Sequence, residues 1–165
     1  MASGTNVSLT NLIHSADGIG IVAHDAGGAN ILNALLKRFT EFNFYLLIDG
    51  PALKIFDSKN IFLVTDEEVF FERVNFVLSG TGSTCFEKKL IRKAKDFGCK
   101  TAVILDHFVN YKARFEYAGE VFFPDYCFVC DDFSLNLALK ELAPYKNILI
   151  CENYLVSDMR AKIEA

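Results

Sequence analysis

The sequence predicts one α/β domain, a doubly wound and mostly parallel sheet of about six strands between two layers of helices. Three observations predict it. Short apolar runs alternate with segments of helical periodicity along almost the whole chain. Those runs are continuously apolar rather than alternating, as in strands covered on both faces. Small, polar and ionisable residues gather directly after the runs, where open parallel sheets bind ligands.

Taken in order, residues 1–17 form an N-terminal extension, with a short docking helix expected from Val7 to Ile13. Gly18–Asp25 is the first convincing strand, apolar and β-branched until His24-Asp25. Ala26-Gly27-Gly28 opens a helix through Phe39, whose apolar residues recur at helical spacing. Phe42–Ile48 is the second strand, closed by Asp49-Gly50-Pro51, and Ala52–Ser58 supplies one or two helical turns. Asn60–Val64 reads as a strand and Asp66–Arg73 as a short helix.

Phe76-Val77-Leu78 then runs into Ser79-Gly80-Thr81-Gly82-Ser83-Thr84 and an amphipathic helix that stops at Gly98. Thr101–Leu105 is a strand ending in Asp106-His107, followed by a long polar and aromatic connection to Gly119. Tyr126–Cys130 is a strand, Asp131-Asp132 caps a helix to about Leu142, and Asn147–Cys151 is the last strand. Residues 157–165 are a tail or a docking helix. The whole reads as a three-layer, Rossmann-like αβα domain over residues 1–165.

Composition narrows the function classes. A chain of 165 residues that is 52% hydrophobic, with sixteen Phe, can bury a substantial core. The net charge of −4, with basic residues dispersed among acidic ones, argues against a nucleic-acid surface. No apolar run approaches the roughly 20 residues that span a bilayer. The N-terminus lacks the basic-then-apolar layout of a secretory signal, so the expected compartment is the cytoplasm. Five cysteines fit reducing surroundings. Cys127 and Cys130 sit three apart in a strand, on opposite faces, and read as core residues rather than as a zinc pair. No cofactor or metal is expected.

The central turn, Ser79 to Thr84, supports two readings. Two glycines and four hydroxyls at a helix N-terminus suit a phosphate or carboxylate. The same residues make a tight βα turn with Ser83 or Thr84 as N-cap. Glu87, in the first helical turn, completes a capping box or faces the ligand. His24-Asp25 is either a catalytic pair or a structural one, with Gly27 and Gly28 admitting a ligand backbone-close. Asp106 and His107 match an acid–base pair. Asn110, Tyr111 and Arg114 lie on the long connection, and Arg114 suits a bidentate clamp on phosphate. Asp131 and Asn153 follow the last two strands as further ligand contacts, with capping as the plainer role for Asp131. The charge run from Lys88 to Asp96 reads as an exposed helix face. Ser79 and Ser83 lack a nucleophile elbow, and Cys85 has no assigned base.

Ser79–Phe115 (SGTGSTCFEKKLIRKAKDFGCKTAVILDHFVNYKARF), Pro124–Asp132 (PDYCFVCDD) and Glu152–Leu155 (ENYL) together resemble bacterial proteins from surface-polysaccharide gene clusters. Those proteins are similar to one Rossmann-type half of the glycosyltransferase-B / UDP-GlcNAc 2-epimerase fold. The resemblance spans roughly residues 75–155, and His24–Gly28 fits the same group's N-terminal turn. It implies a phosphorylated or nucleotide-linked sugar as ligand, with Gly27, Gly28 and residues 79–84 holding phosphate or sugar hydroxyls. Asp106 or His107 would act as base or orient an acceptor. A complete enzyme of that fold has two such domains, so a homo-oligomer or a second chain is implied to complete the cleft. A non-catalytic regulatory module that keeps the anion site is the rival expectation. A metal-dependent phosphate-ester hydrolase or phosphotransferase, using Asp25 or Asp106, is a third.

Overall fold

Strands that are apolar on both faces need cover on both sides, and the chain supplies it. The computed structural model describes residues 7–165. In order, the elements are α1 (Leu9–Ser15), β1 (Ile19–Ala23), α2 (Ala26–Leu36), β2 (Phe44–Ile48), β3 (Ile61–Leu63) and α3 (Glu67–Arg73). They continue with β4 (Phe76–Ser79), α4 (Cys85–Asp96), β5 (Lys100–Ile104), β6 (Glu116–Tyr117) and β7 (Glu120–Val121). The last four are β8 (Tyr126–Val129), α5 (Asp132–Glu141), β9 (Ile148–Ile150) and α6 (Tyr154–Glu164). Single 3-10 turns occupy Gly50–Lys54 and Lys112–Phe115.

The main sheet is parallel and ordered β3-β2-β1-β4-β5-β8-β9. It has seven strands rather than about six. The chain winds outward from β1 to β3, then returns to β4 on β1's other side. The carboxyl ends of β1 and β4 therefore diverge, leaving a crevice between their following turns.

Alternate residues point to opposite faces, and the two cores follow that alternation. Ile19, Ile21, Phe76, Leu78, Ala102, Ile104 and Phe128 pack under α1, α2 and α6. Val22, Val77, Val103, Cys127 and Val129 pack under α3, α4 and α5. No helix among the described residues is long and apolar enough to cross a membrane.

Three expectations are corrected in detail. Residues 116–121 form an antiparallel hairpin inside the connection expected to be irregular. The helical turns expected at Ala52–Ser58 start at Gly50 and end at Lys54. The C-terminal helix begins at Tyr154, not near Ser157, and docks through the edge-to-face contact of Tyr154 with Phe39. Of the N-terminal extension, residues 1–6 lie outside the described residues, whereas Leu9, Leu12 and Ile13 of α1 are buried. One border of the sheet is the three-residue β3, whose Phe62 and Leu63 are exposed.

Candidate functional site

Asp25 follows β1 and is the N-cap of α2, yet its side chain makes no cap bond there. It reaches instead across the crevice. Asp25 Oδ2 accepts from the Ser83 amide (2.7 Å) and from Ser83 Oγ (3.3 Å), at the start of α4. Asp25 Oδ1 lies 2.9 Å from His24 Nδ1. The carboxylate thus occupies the helix-terminal position that a ligand anion would take. Burial works against its charge, but the His24 and Ser83 bonds outweigh burial and hold the carboxyl below its usual range. The same bond raises His24 above 6.5, against a smaller opposing effect of desolvation.

Two further links fix the turns to one another. Glu87, 3% exposed, accepts the His24 backbone N–H through Oε1 (2.9 Å), tying α4 to the end of β1. Gly28 and Gly80 meet backbone to backbone, since a Cβ on Gly28 would sit 3.1 Å from the Gly80 Cα, and the reverse holds too. Neither residue could carry a side chain without separating α2 from β4. Their smallness therefore serves packing.

Asp106, at the end of β5, forms the floor. Its side chain is 7% exposed and its Oδ2 lies 3.3 Å from His107 Nε2. Among the described residues Asp106 Oδ1 has no hydrogen-bond donor, and Arg114 Nη1 lies 3.6 Å away. Gly27, in the first turn of α2, lies directly above, since a Cβ there would be 2.6 Å from Asp106 Oδ2. Arg114 is pinned by neutral acceptors. Its Nη1 donates to the Thr81 carbonyl and to Thr81 Oγ1 (3.2 Å), and its Nε to the Val109 carbonyl (3.3 Å). Lys88 Nζ donates to the Ala113 carbonyl at 2.7 Å. Lys88 thus ties the connection after β5 to α4, and Arg114 ties it to the turn before that helix.

The result is an open cleft of about 380 Å³ lined by Asp25, Gly27, Thr81, Gly82, Ser83, Asp106, His107, Asn110 and Arg114, joined by Lys88 and Ala113. Asn110 enters it with a left-handed backbone (φ 56°), which asparagine tolerates. The turns after β1, β4 and β5 therefore share one rim.

Other expected site residues lie elsewhere. The His24 ring packs against Gly50, whose φ of 58° brings its backbone under the imidazole, and against Phe86. Ser79 is buried and its Oγ donates to the Gly80 carbonyl. Thr84 caps α4, Asp131 caps α5 and Asn153 caps α6. Tyr111 is fully buried, correcting its reading as a ligand contact. Its hydroxyl has no bond of ordinary length, and burial pushes the phenol up although Ser134 nearby partly offsets this. Gly80 and Glu87 line an adjoining pocket of about 20 Å³ that shares Thr81, Lys88 and Arg114 with the cleft and is large enough for about one water.

Lys88 belongs to the charge run expected to be a plain exposed face, yet it lines the cleft. The available signal is its spacing of four from the N-cap Thr84, which puts both on one face of α4. The sequence reading also misses the partner of Cys130. The register of β8 and β9 continues past Val129 and Ile150 to set Cys130 opposite Cys151. A bond from the Cys151 thiol lowers Cys130 against the effect of burial. Cys127 is wholly buried, and burial drives its thiol upward. Among the described residues no three His, Cys, Asp or Glu side chains are placed to hold a metal ion. No protein-family model, curated protein or solved structure matches the chain.

Proposed function

We propose that the cleft binds a small phosphorylated or nucleotide-linked sugar, with Asp106 as the acceptor for one of its hydroxyls. The observation that carries this reading is Asp106 Oδ1, an unpartnered carboxylate oxygen on a side chain that is 7% exposed at the cleft floor. A buried acceptor without a donor is costly, and a ligand hydroxyl removes that cost when the Arg114 side chain, 3.6 Å from Oδ1, moves aside to admit it. Oriented in this way the carboxylate also suits proton abstraction from the bound hydroxyl, with His107 beside it.

The anionic group of the ligand fits the basic wall made by Lys88, His107 and Arg114, together with the uncapped N-terminus of α2. It does not fit the amide of Ser83, which Asp25 already holds. The cleft volume falls within the roughly 300–1,000 Å³ typical of small-molecule sites. The resemblance of residues 75–155 supports a sugar, and with it a role in bacterial surface-polysaccharide biosynthesis. In that reading a second copy or a partner chain covers the open side.

Calorimetric titration of UDP-, CMP- and GDP-sugars and of simple sugar phosphates, with amide shift mapping, tests the proposal. Binding that perturbs residues 25–27, 81–83 and 106–114 is expected. Asp106→Asn should weaken it at least tenfold, because the amide's NH₂ repels the donor that the carboxylate accepted. Silence from every ligand, or shifts confined to other faces, would overturn the assignment. Where turnover is measurable, an Asp106→Asn protein that binds but no longer reacts marks an enzyme, and one altered only in binding marks a regulatory module.

A further inference from the structure

Three residues at the carboxyl edge of the sheet fall in one row. β5 pairs with β8 as Ile104↔Phe128, and β8 pairs with β9 as Phe128↔Leu149. The ladder runs on past the strands, because the Leu105 amide donates to the Phe128 carbonyl (2.9 Å) and the Cys151 amide to the Val129 carbonyl (2.8 Å). Two residues beyond Ile104, Phe128 and Leu149, the same register sets Asp106, Cys130 and Cys151 side by side on the same face. The approach of Gly27 to Asp106 agrees, since α2 covers that face.

Cys130 and Cys151 are free thiols and both are partly exposed. Neighbouring strands lie about 4.8 Å apart, inside the roughly 4.4–6.8 Å that separates the Cα atoms of a disulfide. The remaining strand cysteine, Cys127, is wholly buried on the opposite face. Cys99 is buried too, with its thiol donating to the Val74 carbonyl at 3.4 Å. We infer that Cys130 and Cys151 are a modification site at which a small hydroperoxide closes a reversible disulfide between β8 and β9, one strand away from Asp106.

The two sulfurs have different roles. The bond from the Cys151 thiol lowers Cys130, outweighing burial and the nearby Asp131 and Asp106 carboxylates, and the same bond raises Cys151. Cys130 is therefore the attacking thiolate and Cys151 the resolving thiol. In the first step a bond forms from the Cys130 sulfur to a peroxide oxygen and the O–O bond breaks. With hydrogen peroxide, hydroxide leaves and takes the proton that Cys130 gave up, as water. In the second step the Cys151 sulfur attacks the Cys130 sulfenic acid, so that the S–S bond forms and the S–O bond breaks. The hydroxyl departs with the Cys151 proton as a second water. Two thiols give up two electrons, which reduce one peroxide, and a dithiol reverses the link by exchange. The link would tie down β9, the three-residue strand at the border opposite β3. It would also join the chain just before Asp131 and Asn153, the N-caps of α5 and α6.

The test treats the full chain with hydrogen peroxide, alkylates the thiols that remain and maps the tryptic peptides by mass. Cys130 and Cys151 should be lost together, and peptide 115–140 should appear joined to peptide 147–160 within one chain. Fragment ions should place the bond at Cys130 rather than at Cys127 of the same peptide, and dithiothreitol should restore both peptides. In Cys151→Ser, Cys130 should still react but stop at the sulfenic acid, which dimedone captures. In Cys130→Ser the joined peptide should vanish and Cys151 should remain open to alkylation. Circular dichroism checks that the variants fold, and the unaltered chain decides the matter if they do not. Peroxide that consumes the exposed Cys85 while Cys130 and Cys151 both still alkylate overturns the proposal. So does oxidation of Cys130 to the sulfinic acid with Cys151 in place, or a joined peptide found only in covalent dimers.

Discussion

Asp25 decides what two helix ends present. By crossing to Ser83 it occupies the amide before α4 and leaves the first turn of α2 without a side-chain cap, so that Gly27 offers an open helix end to the cleft beside Asp106. Its bond to His24 makes the junction pH-sensitive. His24 is raised above 6.5 in the folded chain, so its contribution to stability is complete below that value and fades as pH climbs through the raised one. Asp25 is held below 3.8, so its contribution is complete above that value and fades as pH falls through the lowered one. The pair therefore contributes most between those limits. His24→Gln, which keeps a polar side chain but cannot titrate, should cost more stability at pH 5.5 than at pH 8.5 in urea unfolding. A difference that does not vary between the two would contradict the ion pair.

At the scale of elements, α4 is the anchor of the site. Lys88 holds the connection after β5, which carries His107 and Asn110, against the helix, and Arg114 holds it to Thr81 in the turn before. Lys88→Met keeps the aliphatic stem and removes the donor. Amide exchange should then quicken over residues 107–115, with β1, β4 and β5 unchanged and ligand affinity reduced about three- to tenfold. Unaltered exchange there would mean that Arg114 alone holds the segment. The strands are legible in the sequence because each is an apolar run bounded by turn residues. The hairpin at 116–121 is not, since strands two residues long have no measurable period. The start of α6 is obscured because Tyr154, Leu155 and Val156 follow the strand after only Glu152 and Asn153 and give less than one helical turn of apolar residues, too few to show a period. The residues directly after each strand name the rim segments, but not the side chains that enter the cleft. That choice depends on contacts across 58 residues for Asp25 and Ser83, and on Tyr111 turning into the core.

For the whole molecule, the close approach of Gly28 and Gly80 joins the outgoing and returning halves of the winding. Gly28→Ala places a methyl against backbone that cannot swing aside, so α2 must lift from β4. A loss of about 1–3 kcal/mol is expected, read as a fall of several degrees in Tm. Ligand affinity should fall with it, because the same shift moves Gly27 away from Asp106. A Tm within a degree of the unaltered chain would mean that the crevice yields more easily than its geometry implies. The other feature that acts on the molecule as a whole is its border. β3 offers an approaching chain only three residues to pair with, despite the uncovered Phe62 and Leu63. So brief a template gives fibril-like growth from that side little to copy, and crowding at high expression meets a stub where a longer margin would have recruited neighbours.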